Sequence, residues 1–173
     1  MIHMIVLAMA CLFTACQDSS KLVISDLQCE YLNAPLAIDN TTPHFGWKMT
    51  CGQNGISSSA YQILVATELD KLNEEEADLW NSGKVSSDTS IGIAYGGKAL
   101  TSRTQAYWKV RVWNQADVPS EWSKPSSFGI GMLSENDWSA EARFIGVEQA
   151  DEKSQSAPLL RKSFTYEPSK GKA

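Results

Sequence analysis

The sequence predicts an all-β protein, an antiparallel β-sandwich of six or seven strands, on three observations. The first is the alternation in "AYWKVRVWN", Ala106 to Asn114, where Trp108, Val110 and Val112 share one parity and Tyr107, Lys109, Arg111 and Trp113 the other. A period of two marks a half-buried strand, and its all-apolar parity assigns Trp108, Val110 and Val112 to a core. The second is the recurrence of such segments between turn formers such as Gly52, Gly55, Gly83, Gly96 and Gly97. The third is size: 173 residues hold one sandwich of about 100 residues with flanking pieces, and not a large catalytic barrel beside it.

Taken in order, Leu22 to Tyr31 is the first strand, with Leu27, Cys29 and Tyr31 on one parity. Pro43 to Cys51 follows, with Phe45, Trp47, Met49 and Cys51 on one face, and both faces are expected to look inward. Trp47 sits mid-strand and is expected at the centre of the core, opposite Trp108. Ala60 to Thr67 is the next strand, Val85 to Ser87 a short edge strand, and Ile91 to Tyr95, Tyr107 to Asn114 and Ser126 to Ile130 complete the set. Asn114, Asp117, Pro119 and Ser120 are turn formers and make the last two strands a hairpin, with Trp122 covering an edge.

One insertion interrupts the pattern. "ELDKLNEEEADLW", Glu68 to Trp80, sets Leu69, Leu72, Ala77, Leu79 and Trp80 among acids and predicts a turn or two of helix across one end. Consecutive Glu74, Glu75 and Glu76 on a helix point in three directions, so they form a solvated face and not a calcium site or an acid/base pair.

The N-terminus differs in kind. Ile2 to Ala15, "IHMIVLAMACLFTA", is almost wholly apolar, too short to span a bilayer, and followed at once by the polar "CQDSSK". It reads as an export signal. "LFTAC" is similar to a bacterial lipobox, in which small residues precede a lipidated cysteine; Thr14, Ala15 and Cys16 fit. Residues 1–15 are then a lipoprotein-type signal peptide, Cys16 the lipidation site, 16–21 a tether, and the membrane a partner through the lipid anchor, in the periplasm or at the cell surface. Ordinary secretory cleavage and a buried N-terminal helix are the alternatives.

Cys11 lies within the signal, which leaves Cys29 and Cys51 as thiols. Both lie eleven residues from Asn40 and both take the inward parity, so a fold-back centred there would allow a disulfide between them. Two buried cysteines acting as small hydrophobes is the other reading. These two with His44 make no zinc ligand set, and no cofactor is implied. A net charge of -5 with no basic stripe excludes nucleic acid. Carboxylate pairs such as Asp26 with Glu30 and Asp137 with Glu141 fall on polar strand faces or linkers, and no nucleophile, base and oxyanion donor converge, so no catalytic residue is assigned. Trp80, Tyr95, Trp113 and Trp122 are the aromatics least clearly on the core parity. They could stack on a glycan, or serve core, corner and interdomain packing.

The ordered set "ISDLQCEYLNAPLAIDNTTPHFGWKM", "AYQILVAT", "DLWNSGKVSSDTSIGIAYGGKAL", "AYWKVRVWN", "WSKPSSFGIGML" and "DWSAEARFIG" resembles the N-terminal region of bacterial α-L-rhamnosidases, glycoside hydrolase family 78, from about Ile24 to Phe164. The resemblance implies a fibronectin type III-like, immunoglobulin-like sandwich over 22–133 and a linker over 134–156. Residues 157–173 would then be the truncated opening strand of a second β-sandwich, carried by "APLLRKSFTY". Trp47 would be the core tryptophan of the second strand, and Tyr107 the tyrosine resembling a tyrosine corner. Phe144 stands where the family commonly has Trp, and Gly46 where Ser is usual. Family members carry their acidic catalytic residues on an (α/α)6 barrel several hundred residues further on and invert configuration.

What the resemblance implies for function is a non-catalytic N-terminal module, a fragment of an exported enzyme that hydrolyses terminal α-L-rhamnose from glycans. Such a module would be inactive alone and partnered by the remaining domains of its parent. The alternative is a stand-alone surface lipoprotein whose fibronectin-like domain binds a glycan or a protein.

Overall fold

A computed structural model of the chain describes residues 21–143, 161–163 and 165. The signal segment, Cys16, Phe144 and most of the expected second sandwich lie outside the described residues. The chain divides into two compact units, Met1–Asp137 and Trp138–Ala173. In the second, Ala142 donates to the Ser139 carbonyl at 2.9 Å in a turn, and Arg161, Lys162, Ser163 and Thr165 belong to no strand.

The first unit is the expected antiparallel sandwich, with eight strands among the described residues: β1 Leu22–Cys29, β2 His44–Cys51, β3 Ser58–Ala66, β4 Trp80–Asn81, β5 Val85–Ser86, β6 Ile93–Ala94, β7 Gln105–Asn114 and β8 Ser126–Gly129. One sheet runs β1-β2-β6; the other runs β4-β3-β7-β8, with β5 also on β3. The strands expected from alternation are present, and β4 is the addition. It is two residues long, too short to show a period, and exists because Val65 pairs with Trp80 and Leu64 with Asn81.

β7 is the spine of the larger sheet. Trp108, Val110 and Val112 face inward and are buried, as their parity requires. β3 pairs with β7 from Ser58↔Asn114 to Ala66↔Tyr107, and its run Ile63 to Ala66 is buried on both faces, which explains why it reads as continuous hydrophobe. β8 pairs with β7 only over Gln105–Trp108. Beyond that point Ser120 and Ser123 take its place. Their backbone N–H groups donate to the Val112 and Val110 carbonyls, each at 2.8 Å, and their hydroxyls accept from the Val112 and Val110 N–H at 3.1 Å. The β7 edge is thus satisfied by a segment whose Pro119 keeps it from becoming a regular strand.

The two sheets meet on an aromatic cluster. Phe45 of β2 lies 4.4 Å from Trp108, 5.7 Å from Phe128, 6.3 Å from Trp80 and 6.4 Å from Tyr95, centroid to centroid. Trp47 is buried too, but it meets Tyr61 edge-on at 5.7 Å. Phe45, and not Trp47, is therefore the hub of the core. Trp80 and Tyr95, among the aromatics least clearly on the core parity, join it: β4 is too short for parity to decide a direction, and Tyr95 lies just past β6.

The structure corrects three further expectations. Cys29 and Cys51 do not face each other: Cys29 pairs with Phe45, while Cys51 pairs with Leu22 at the far end of the ladder. The fold-back centres on Ala37 instead of Asn40. A β-bulge also sets Asp26 and Leu27 against Trp47 alone, with Asp26 at φ 50°, and it switches the inward parity from Leu22 and Ile24 to Leu27 and Cys29. Tyr31, past the strand end, is exposed and not inward.

The second correction concerns 68–80, which is not helical. Asn73 caps a single turn, its Oδ1 accepting from Glu75 and Glu76 N–H at 3.1 and 2.9 Å and its carbonyl accepting from Ala77 at 3.1 Å. There the turn ends, because Trp80 is drawn into β4 and one turn alone does not sustain a helix. The third concerns Tyr107, which lies half-buried on the outer face of the larger sheet against Leu64, Ala66 and Leu72. Tyr95, by contrast, is buried, and its hydroxyl donates to the Lys98 carbonyl at 2.8 Å.

Phe45→Ala and Trp108→Ala should each lower stability by about 3–5 kcal/mol, since both leave a cavity between two sheets. Trp122→Ala should cost about 1–2 kcal/mol. Urea denaturation of the three variants checks this ordering, and equal small effects would overturn the inward parity of β2 and β7.

Candidate functional site

The outer face of the larger sheet carries the densest chemistry. Tyr107, Lys109, Arg111 and Trp113 project from β7 on that side, and Trp122 folds back over them. The Arg111 guanidinium lies 4.6 Å from the Trp122 ring centroid and 4.9 Å from that of Trp113. Lys109 sits over Trp122 and Lys84 over Trp113, each at 4.9 Å. The result is a ladder of alternating cations and indoles, in which positive charge rests on the electron-rich ring faces.

Arg111 also fixes the ladder to the sheet. Its Nε and Nη2 donate to Gln62 Oε1 at 3.1 and 2.8 Å, and Nη2 pairs with Glu74 at 2.9 Å. Gln62 is itself buried, and its Nε2 donates to Asn81 Oδ1 at 2.8 Å. Lys84 pairs with Asp117. Burial holds Lys109 below the usual lysine range, reinforced by the Arg111 charge and opposed by Glu74. Beside the ladder, Asn73, Glu74, Glu75, Glu76, Lys109 and Trp122 border a shallow open depression of about 490 Å³.

This arrangement bears on the sugar-stacking candidates. Trp80 and Tyr95 lie within the aromatic core, and cations already occupy faces of Trp113 and Trp122. The acidic run is divided as well: Glu74 belongs to Arg111, while Glu76 accepts from Asn73 Nδ2 at 2.6 Å.

Other carboxylates hold backbone in place or pair with a lysine. Asp78 accepts from the Thr67 N–H at 2.8 Å and the Thr67 hydroxyl at 2.6 Å; burial raises its pKa, but these bonds outweigh it and the carboxyl is held low. Asp26 pairs with Lys48 at 3.0 Å. Asp137 accepts from Ser102 Oγ at 2.5 Å and from the Leu133 and Ser134 N–H at 2.9 and 2.8 Å, and the Ser102 bond leads in lowering its pKa. Glu30 receives the His44 N–H at 2.7 Å, His44 Nδ1 at 3.1 Å and Asn40 Nδ2 at 3.0 Å. Its partial burial pushes its pKa up, but these bonds win and hold it below the usual carboxylate range.

Among the described residues no group of three His, Cys, Asp or Glu could hold a metal ion. Cys29 is buried, and its thiol is pushed up to about 12 by burial first and by Glu30 second. Sequence reasoning missed Arg111 as the organiser of the outer face. The available signal was the outward parity that it shares with Lys109 and Trp113 on β7.

The fold and this surface define an immunoglobulin-like β-sandwich module whose polar groups serve chiefly to hold its own loops and edges. The chain belongs to the family described as Rha78A-like, N-terminal immunoglobulin domain, which it matches over residues 24–134. It is 43% identical over 146 residues to an α-L-rhamnosidase of Formosa agariphila, covering 82% of this chain and 15% of that protein. The crystal structure of Streptomyces avermitilis α-L-rhamnosidase complexed with L-rhamnose superposes with a TM-score of 0.65 at 38% identity, over 68% of this chain and 11% of that one. An α-L-rhamnosidase from Dictyoglumus thermophilum gives 0.65 at 34% identity, over 69% and 14% of the two chains. The chain thus spans only 11 to 15% of the length of these relatives.

Two outcomes follow from the site. Arg111→Met keeps the aliphatic stem but leaves Gln62 Oε1 without its donors, and it should destabilise the domain by about 1–3 kcal/mol in urea denaturation. Arg111→Lys should rescue little of this, because an ammonium cannot reproduce the planar fork. Glu30, with its folded pKa depressed, contributes stability that is present above its unfolded value of about 4.3 and is lost as pH falls through the folded one. The urea midpoint should fall in that window, and Glu30→Gln should flatten the fall; identical pH slopes would remove Glu30 from the account.

Proposed function

We propose that this chain is the non-catalytic N-terminal module of an exported, lipid-anchored α-L-rhamnosidase that removes terminal α-L-rhamnose from glycans. The observation that carries the proposal is the family match over residues 24–134, in a chain covering 15% of an α-L-rhamnosidase with which it shares 43% identity. In that reading hydrolysis belongs to parts of the parent beyond this segment, and the sandwich supplies a stable, exported N-terminal domain. The occupied carboxylates support it: Glu30, Asp78 and Asp137 are each held ionised by hydrogen bonds to backbone or hydroxyl groups. None is raised toward neutrality, as the general acid of a glycosidase needs. Export and anchoring rest on the apolar run Ile2 to Ala15 followed by Cys16.

The purified chain without residues 1–15 should show no turnover of an aryl α-L-rhamnoside, and activity that maps to this polypeptide would overturn the assignment. Expressed with its signal in a diderm bacterium, the chain should fractionate with membranes, and Cys16→Ser should release it or stall its processing. Unchanged fractionation would remove the lipid anchor.

A further inference from the structure

The loop between β1 and β2 is built at a cost and displays apolar side chains to solvent. Glu30, Tyr31 and Ala34 have φ of 50, 62 and 45°, the left-handed region that residues with a Cβ avoid. Such a conformation persists only where its surroundings over-determine it, and here they do. Cys29 and Leu32 exchange backbone hydrogen bonds at 3.0 Å. Gly129 donates to the Pro35 carbonyl at 2.9 Å, Ile38 to the Gly129 carbonyl at 2.8 Å, and Gly131 to the Ile38 carbonyl at 2.8 Å. The approach is close enough that a Cβ on Gly129 would meet the Leu36 carbonyl oxygen at 2.1 Å. The loop is therefore a fixed strap along the outer edge of β8.

What the strap presents is hydrophobic. Leu36 is 87% exposed and Leu32 54%. Next to them Ala37 and Gly131, which lack bulky side chains, leave a shallow open depression of about 510 Å³ edged by Leu32, Ile38, Glu30 and Asp39. Met132 and Leu133, each 40% exposed, continue directly from Gly131. This is also where the chain leaves the sandwich. The family match ends at residue 134, and the Asp137 carboxylate fastens the Leu133 and Ser134 N–H groups to Ser102, so the exit is held in place.

We propose that the strap Leu32–Ile38 and the exit Gly131–Leu133 form a docking surface for the body of the parent enzyme beyond this chain. The proposal rests on the module assignment above. Two features favour that occupant over others. The polypeptide continues from the patch itself, so anything attached downstream meets it at high effective concentration, and the relatives carry most of their length outside the matched segment. The docking element should bring an apolar side chain to fill the depression over Ala37 and Gly131. It should also bring a cation or donor opposite Asp39, since Glu30 is already bonded to His44 and Asn40.

The test grafts this chain over the 146-residue segment that it matches in the Formosa agariphila relative and compares hydrogen exchange with that of the chain alone. Peptides covering 31–38 and 128–134 should exchange about tenfold or more slowly in the graft. Leu32→Asp with Leu36→Asp should abolish that gain while leaving the urea midpoint of the chain alone unchanged, because both side chains are exposed. Val23→Asp, an exposed apolar position on β1, should keep it. A graft that hydrolyses an aryl rhamnoside yet shows no added protection overturns the docking surface and leaves the module assignment standing. An inactive graft without added protection, made from an active relative, counts against both. Concentration-dependent dimerisation of the chain alone, lost in the double variant, would assign the patch to a second copy and overturn the proposal.

Discussion

Phe45 and Trp108 meet across the sandwich with ring centroids 4.4 Å apart, and the rest of the first unit depends on keeping that contact dry. The smaller sheet is weak by itself. β6 contributes Ile93 and Ala94 only, and β1 is bent by its bulge. Three strands of this kind are marginal unless one face is buried against another layer. Phe45 supplies the attachment, because it touches rings from β4, β7 and β8 and Tyr95 beside β6. The short strands β4 and β6 are best understood as consequences of where Trp80 and Tyr95 must lie to complete that cluster. The hydrogen bond from Tyr95 to the Lys98 carbonyl lets the polar end of a buried ring be satisfied without opening the core.

With the inner face committed to packing, polar chemistry falls to the outer faces, the edges and the loops, and there it is used for support. The outer face of the larger sheet would expose Leu64, Ala66 and two indoles were it bare. Instead the segment 68–79 lays Leu72 over Leu64 and Ala66, and Arg111, Lys109 and Lys84 cover the indoles. The strap at 32–38 and the serines at 120 and 123 do the same for the two stretches of edge on either end of β7 and β8. Catalysis needs polar groups left underused, poised near neutrality and facing a cleft. Here the shifted carboxylates are driven down by hydrogen bonds that hold backbone in place, which is the signature of structural fixation.

How much of this was legible follows from what local pattern encodes. β7 was fully legible, because ten residues of alternation leave no second register for Trp108, Val110 and Val112. β2 was legible for the same reason, and β3 through its continuous β-branched and apolar run, which a strand buried on both faces requires. Parity failed where the chain is irregular or too short to have a period: the bulge at Asp26 reverses the inward face of β1, and the two-residue β4 looked like the end of an amphipathic helix. Register failed across the long β1–β2 connection, since symmetry about Asn40 assumed that the loop closes as a simple hairpin. The strap spends several of those residues pairing with β8, about 90 positions further on. Arg111 and Gln62 were each visible as outward polar residues, but their partnership is a property of strand order, which no local signal carries. A corner role for Tyr107 rests on likeness to a motif, whereas its outward parity on β7 already places it on the face where it packs, beside Leu64, Ala66 and Leu72.

The separation of Cys29 from Cys51 bears on the proposed export. An oxidising compartment would ordinarily pair two such thiols, yet the register sets one at each end of the β1–β2 ladder. Two cross-strand positions that far apart cannot be bridged without moving backbone. Cys29 is protected in another way. Its sulfur packs inside the core opposite Phe45, and a pKa pushed up to about 12 leaves almost no thiolate at neutral pH to attack a disulfide or an oxidant. For Cys29, burial supplies hydrophobic contact and at the same time removes the reactivity that an accessible thiol would carry.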